Sequence, residues 1–183
     1  MIKTFRFILF ISLLISGVSF TPKGKIISAD KTVSWIQYTV NHPLHGATAV
    51  SNDFVCNIDY NPELKQIGKV AVSAKVSAFD SKNSNRDSNA MEAVEAIKFP
   101  TVKFISSAVN SSSGKLEVKG NLTFHGITKE ISFNAEQKTE GNKLTVQGSF
   151  PVSLDAYKVE KPSLLGMKID DEIKVEFKAV FNL

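Results

Sequence analysis

The sequence predicts an all-β domain with one short helix, in which about eight antiparallel strands form either one sheet closed into a barrel or two packed sheets. Apolar and polar residues alternate with a period of two through most of the chain, and turn-forming residues separate the alternating runs. No internal repeat or linker divides these runs. Such alternation is typical of antiparallel sheets that bury one face and leave the other in water. A barrel of this size has room for one small ligand.

The amino-terminal segment, residues 1–19, differs from the rest and is predicted to be a secretory signal peptide. Lys3 and Arg6 supply a positive region, and residues 7–18 are almost wholly apolar. Ser19 is a small residue that suits cleavage after it. The apolar run is too short to cross a bilayer as a helix. We therefore expect an exported protein, periplasmic or secreted, with an uncleaved anchor as the alternative.

Residues 20–31 show no clear period and are predicted to be a loose lead-in to one domain, residues 32–183. That length is enough for a single hydrophobic core. The turn at Asn61-Pro62-Glu63 divides the second and third predicted strands, because proline presets a turn dihedral angle. The first three predicted strands are residues 33–40, 54–60 and 70–78.

The only helix predicted in the domain spans residues 89–98. Ala, Met and Glu in this stretch favour a helix, and Met91 and Val94 follow a helical period. Ser88 is a suitable N-cap residue. Pro100 is expected to end the helix, because the residue before a proline avoids the helical region.

Five more strands are predicted after the helix: residues 102–106, 116–124, 131–135, 144–150 and 173–181. His125-Gly126 is predicted to form a tight turn. Gly120 and Gly148 lie on apolar faces, where a glycine often marks a bulge, a bend or a close approach of another group. Residues 151–166 break the alternation and are predicted to form a lid or rim loop.

The aromatic composition points to an apolar interior. The chain has 13 Phe but only three Tyr and one Trp, so most of its rings carry no polar atom. The inward positions of the predicted strands give the candidate residues for lining a ligand site: Phe54, Val72, Val76, Phe104, Leu122, Phe124, Phe133, Phe150, Val175 and Phe177. Each of them could equally be packed core, so an interaction module with a filled barrel is an alternative.

Charge and cysteine content exclude several classes of protein. The formal net charge is +4, and removing Lys3 and Arg6 with the signal leaves +2. No run of basic residues is interleaved with aromatic ones, so nucleic-acid binding is not expected. Cys56 is the only cysteine, which rules out an intramolecular disulfide, and its place in an alternating run predicts a small buried residue.

The three histidines, His42, His45 and His125, are the only weak candidates for metal ligands. Three imidazoles could hold zinc in an open, catalytic type of site. An enzyme that acts on a lipid or metabolite at the barrel mouth is therefore a second hypothesis. No nucleophile elbow, phosphate-binding loop or dinucleotide motif is present, so no catalytic residue is predicted. We expect folding to need no metal or cofactor.

Four segments resemble the YceI-like family and together cover residues 32–183 in order. They are Ser34-Trp35-Ile36 with His42-Pro43-Leu44-His45-Gly46, then Lys98-Phe99-Pro100-Thr101-Val102-Lys103-Phe104, then Gly120-Asn121-Leu122-Thr123-Phe124-His125-Gly126-Ile127-Thr128-Lys129, and finally Pro162-Ser163-Leu164-Leu165-Gly166-Met167-Lys168-Ile169-Asp170-Asp171-Glu172-Ile173.

This resemblance implies a lipocalin-like barrel with one helix that binds a long polyisoprenoid chain, including quinone-type lipids, in an apolar tunnel. It also implies an exported bacterial protein and, because some members are dimers, a homodimer as one option. The first hypothesis is therefore an exported binding protein, not an enzyme, with an isoprenoid or quinone-like lipid as its ligand. Family members often carry an Arg near the C-terminal signature, where this chain reads Asp155-Ala156-Tyr157-Lys158-Val159.

Overall fold

The computed structural model describes residues 24–42, 46–164 and 166–183. The predicted signal peptide lies outside these residues. The strands are β1 Lys25–Ser28, β2 Trp35–Val40, β3 Ala47–Ser51, β4 Phe54–Asn61, β5 Gln66–Lys75, β6 Thr101–Ser112, β7 Lys115–Phe124, β8 Ile127–Glu140, β9 Lys143–Ser153, β10 Ser163–Leu164, β11 Met167–Lys168 and β12 Glu172–Asn182. Helix α1 spans Ser84–Ala93. Neither α1 nor the short 3-10 turns of the described residues has the length and apolar character of a transmembrane helix.

One ten-stranded antiparallel sheet forms the body of the protein, which confirms the predicted fold class. Its strand order is β1-β4-β5-β6-β7-β8-β9-β12-β2-β3. Most neighbours are consecutive in sequence and are joined by short turns, whereas β12 inserts between β9 and β2. Strands β10 and β11 form a separate small hairpin.

The sheet curls, and each of its edges is tied to a distant part of the chain. After β1, Ala29 forms a bridge with Phe181 of β12, and the Asp30 amide donates to the Val180 carbonyl at 2.7 Å. At the other end of the sheet, Val50 of β3 and Asp80 exchange backbone hydrogen bonds of 3.0 and 2.9 Å. These two contacts close the sheet into a barrel.

Alternation along the strands decides which side chains enter the barrel. In β7 every second residue from Leu116 to Phe124 is buried, whereas Glu117, Lys119 and Asn121 are exposed. Burying one large apolar side chain contributes roughly 1.5–3 kcal/mol. A slip of one residue would turn all the apolar side chains outward, so this pattern fixes the register of the strand.

Gly120 lies where two strands approach unusually closely. A Cβ atom on it would lie 2.5 Å from the Ile105 carbonyl oxygen and 2.6 Å from Cζ of Phe104. Opposite Gly120, the pairing of β6 shifts register between Ser106 and Ala108. The prediction that this glycine marks a bulge or close approach is therefore confirmed.

Gly148 marks a second close approach. A Cβ atom on it would lie 3.0 Å from the Asn134 carbonyl oxygen and 3.0 Å from Cζ of Phe177. The Phe177 ring thus lies over the glycine on the neighbouring strand, where a side chain would push it toward the barrel axis. Gly148 therefore also marks a close approach of another group, as the sequence predicted.

The helix begins earlier than predicted. It starts at Ser84 because the side chain of Asn83, not that of Ser88, caps it by accepting from the Arg86 amide at 3.1 Å. It ends at Ala93, and Glu95 has a positive φ of 46°, which no helix continues through. The predicted span 89–98 is therefore wrong in position, although a single helix before Pro100 is present.

Four short strands were not predicted: β1, β3, β10 and β11. The expected lead-in contains β1, which pairs with β4, and β3 pairs with β2 and leads into β4. Four or five residues are too few to show a period, so their strand conformation comes from their partners. The third predicted strand also ends early, because Val76–Ala78 forms a 3-10 turn beyond β5. The main sheet has ten strands instead of about eight.

Replacing Gly120 with alanine is expected to destabilise the fold by about 1–3 kcal/mol, because the new Cβ atom would overlap backbone atoms of β6. The matched control is Gly46→Ala, whose Cβ atom would meet nothing closer than 3.5 Å. Urea unfolding followed by circular dichroism measures both. Equal stability of the two variants would show that the bulge tolerates a side chain.

Candidate functional site

The inner faces of the strands enclose a cavity of about 630 Å³. This volume lies within the range of roughly 300–1,000 Å³ found for small-molecule sites. Side chains of β2 to β9, of β12 and of α1 line it. The interior of the barrel is therefore open, which argues against the interpretation as a module with a filled barrel.

All of the predicted apolar lining residues lie on the wall of this cavity: Phe54, Val72, Val76, Phe104, Leu122, Phe124, Phe133, Phe150, Val175 and Phe177. Their positions follow from strand alternation, except that Val76 lies in the 3-10 turn after β5. Their contact with a ligand stays a prediction.

Phenylalanine rings cluster on one side of the wall. Phe133 stacks on Phe150 with 4.8 Å between ring centroids, and it meets Phe177 edge-on at 5.9 Å and Phe104 at 5.5 Å. Phe133, Phe150 and Phe177 point inward and yet are only half-buried, as expected beside an unfilled space. These rings offer apolar surface and no hydrogen-bonding atom.

The cavity also has a polar part, which sequence reasoning missed. Tyr38 of β2 and several residues in and before α1 line it: Ser81, Asn83, Asn85, Arg86, Asp87 and Asn89. The prediction that the helix began at residue 89 removed these residues from consideration. A signal was present, because Asn83 is itself a favourable N-cap residue and polar residues are dense around it.

Tyr38 is the aromatic residue next to this polar group. Its ring packs against Phe79 with 5.4 Å between centroids. Burial raises the pKa of the Tyr38 hydroxyl, the charge of Asp87 raises it further, and the charge of Arg86 opposes the shift. The hydroxyl therefore stays protonated at neutral pH and can donate a hydrogen bond.

The histidines act as structural links. The two ring nitrogens of His125 bond the Tyr157 carbonyl at 2.9 Å and the Glu95 carboxylate at 2.8 Å, and its ring meets Phe99 edge-on. Nε2 of His42 lies 3.1 Å from the Met167 carbonyl. His45 lies outside the described residues. Within those residues, no three His, Cys, Asp or Glu side chains are placed to hold a metal ion.

Cys56 packs inside the wall of the barrel, as predicted. It is buried on the inner face of β4, and burial raises the pKa of its thiol to about 12. A thiol that stays protonated is a poor nucleophile. The residue therefore acts as a small apolar side chain.

Parts of the segments that carry the family resemblance meet at one end of the barrel, here called the helix end. The Asp170 amide donates to the Asn41 carbonyl at 3.0 Å, which joins the C-terminal segment to the end of β2. A Cβ atom on Gly126 would lie 2.4 Å from the Phe99 ring, so the turn after β7 packs directly on the segment before β6. These segments together build the rim around α1.

Asp171 holds the rim loop after β9. Its carboxylate accepts from the Ser153 hydroxyl at 2.6 Å and from the Asp155 amide at 2.7 Å. Donation by Ser153 and then by Asp155 lowers the pKa of Asp171, and Lys161 adds to the effect. The loop that was predicted as a lid or rim is therefore tied to the start of β12.

A closed antiparallel sheet with an apolar cavity and a helix at one end defines a lipocalin-like binding barrel. The model of the YceI-like domain matches residues 28–181, and the chain belongs to this family.

Bacterial relatives match most of the chain. A UPF0312 protein of Pseudomonas fluorescens (strain SBW25) is 25% identical over 179 residues, covering 87% of this chain and 92% of the relative. A UPF0312 protein of Pseudomonas putida (strain GB-1) is 26% identical over 163 residues, covering 84% and 82% respectively.

Two solved structures share the fold. BcnA of Burkholderia cenocepacia superimposes with a TM-score of 0.75 at 18% identity, covering 83% of this chain and 98% of BcnA. A polyisoprenoid binding domain from Saccharophagus degradans, implicated in plant cell wall breakdown, gives a TM-score of 0.71 at 14% identity, covering 87% of this chain and 99% of that domain.

The Asp171 hydrogen bonds predict a pH-dependent stability. Because the folded-state pKa lies below the ordinary value of 3.8, the stabilisation is present above pH 3.8 and is lost as the pH falls through the folded-state pKa. The difference in unfolding free energy between the native chain and Asp171→Asn should therefore be largest at neutral pH and shrink below about pH 3.8.

Urea unfolding from pH 7 to pH 3 measures this difference, with Ser153→Ala as the matched variant. Ser153 supplies the first of these hydrogen bonds. The loss of unfolding free energy in the double variant of Asp171→Asn and Ser153→Ala should therefore be smaller than the sum of the losses in the two single variants. A difference in unfolding free energy that stays constant across this pH range would contradict a stabilising role of the ionised Asp171 carboxylate.

Proposed function

We propose that this protein binds a long isoprenoid or quinone-like lipid in the barrel and acts as a carrier or store, not as an enzyme. The observation that carries the proposal is the open cavity with its predominantly apolar wall. The fold shared with a polyisoprenoid binding domain supports the same ligand class.

The energetics of apolar burial suit such a ligand. A prenyl chain offers no hydrogen bonds, so its binding depends on apolar surface and on a cavity of the right width. Burying about 300 Å² of apolar surface contributes roughly 7.5 kcal/mol before the cost of ordering the chain. The Phe133, Phe150 and Phe177 rings provide such a surface.

The contacts of the reactive side chains favour binding over catalysis. His125 is engaged through both ring nitrogens, and the Cys56 thiol is buried and protonated. A histidine held in this way is not free to serve as a general base. We propose, accordingly, that the chain folds and binds its ligand without a metal ion.

The decisive experiment is mass spectrometry of an organic extract from the purified protein. A stoichiometric isoprenoid or quinone lipid is expected. Val175→Asp and Phe177→Asp should abolish lipid retention, because an unpaired charge in an apolar cavity is costly. Val175→Trp should reduce retention without adding charge, by filling the space.

Val55→Asp is the matched control, because Val55 lies on the outer face and is 47% exposed. It should retain the lipid fully. Circular dichroism verifies that every variant is folded. An empty extract from the native chain, also after incubation with isoprenoid lipids, would contradict the proposal, as would full retention by a folded Phe177→Asp variant.

We further propose that the protein is exported after cleavage behind Ser19. The charged and apolar pattern of residues 1–19 supports this proposal. Expression of the full chain in a Gram-negative host should yield a soluble periplasmic protein whose mass corresponds to a chain beginning at Phe20. The uncleaved mass in the membrane fraction would instead indicate an anchored protein.

A further inference from the structure

We propose that Arg86 and Tyr38 bind an uncharged, hydrogen-bond-accepting head group of the lipid, so that the ligand lies with its head at the helix end and its tail deep in the barrel. The inference rests on the proposed lipid-binding function. It adds a polar subsite and an orientation for the ligand.

Arg86 is an exposed cation at the cavity that forms no ion pair among the described residues. It is the only arginine after residue 6 in the whole sequence, and it lines the cavity. Nearby Lys82 pairs with Asp80 at 2.6 Å, whereas the Arg86 guanidinium makes no ion pair or side-chain hydrogen bond within the described ranges. Its five N–H donors are available to an acceptor in the cavity.

Tyr38 offers a second donor on the wall of the same cavity. Its ring is fixed against Phe79, and its hydroxyl has no hydrogen-bond partner among the described residues. The charges of Asp87 and Arg86 both influence the pKa of this hydroxyl, and all three residues line the same cavity. Removing a hydroxyl from water has a free-energy cost, and this cost is recovered only when a hydrogen-bond partner binds to it.

The register of the strands orients the ligand. Tyr38 lies opposite Val175 on β12, whereas Ile36 lies opposite Phe177, one step farther from the helix end. Beyond that step the inward residues Ala179 and Phe181 are buried and apolar. A polar head therefore finds the donors of Arg86 and Tyr38 at the helix end, and the apolar tail finds matching surface in the deeper part.

The charge balance of the subsite favours an uncharged head. Asp87 follows Arg86 directly, lines the same cavity and offsets its charge. One carboxylate oxygen of Asp87 accepts from the Ser81 amide at 3.1 Å, which holds the negative charge in place. The neutral amides of Asn83, Asn85 and Asn89 complete the polar part. A carbonyl or hydroxyl oxygen suits this set, whereas a diphosphate would bring more negative charge than Arg86 and Lys103 offset beside Asp87.

The test compares three probes on the delipidated protein by displacement of a fluorescent fatty acid. The probes are a quinone with four isoprene units, squalene, which is an isoprenoid hydrocarbon without a polar head, and geranylgeranyl monophosphate. The variants are Arg86→Ala and Tyr38→Phe, with Lys82→Ala as the control for loss of a nearby positive charge. Tyr38→Phe keeps the ring that packs on Phe79, so the fold should be preserved.

Arg86→Ala should weaken quinone binding about tenfold or more, and Tyr38→Phe should weaken it about fivefold, as expected for the loss of a charged and a neutral hydrogen bond. Squalene affinity should change by less than about twofold in either variant, and Lys82→Ala should leave every affinity unchanged. The native chain should bind the quinone more tightly than the monophosphate.

Equal weakening of quinone and squalene would overturn the inference, because it would show that the two residues only shape the wall. Tighter binding of the monophosphate would overturn the uncharged head group. If the native chain bound none of the three probes, the proposed lipid-binding function itself would fail. Normal quinone binding by the native chain with unchanged binding by the variants would instead contradict only the roles of Arg86 and Tyr38.

Discussion

The structure depends on the pairing of β12 between β9 and β2. This last strand pairs with β9 along its whole length and with β2 over half of it, and its end also reaches Ala29 beyond β1. It thereby links the β1 side of the sheet with the β2 side and holds the sheet in its curled form. Phe181, at the closing bridge, is 1% exposed. Without these long-range pairings the inner face would be an open apolar surface.

Closure leaves an interior that the protein does not fill. A filled core would be more stable, because close packing gains dispersion contacts that a cavity forfeits. The half-buried phenylalanines on the inner wall are the sign of that lost packing. A ligand that binds only the folded state would restore the contacts and stabilise the chain in proportion to its concentration. The proposed function thus gives a physical reason for the incomplete core.

The two ends of the barrel differ in chemistry. At the helix end, α1, the turn at His125 and the loop fixed by Asp171 bring polar side chains and hydrogen-bonded rim segments together. At the far end the strands are joined by turns such as the one at Gly141, and the inner wall is apolar. Parts of the segments that resemble the family, around Asn41, Phe99, Gly126 and Asp170, lie at the helix end.

The sequence by itself determined the fold class, the long strands and the apolar wall. Period-two alternation is a local property, so β7 and β12 and every predicted lining residue could be found without coordinates. Tertiary structure alone decided β1 and β3, which are too short to show a period and exist through their partners. It also decided that Arg86 and Tyr38 line one cavity, because residues on a helix and on a distant strand come to the same site only when the sheet closes around it.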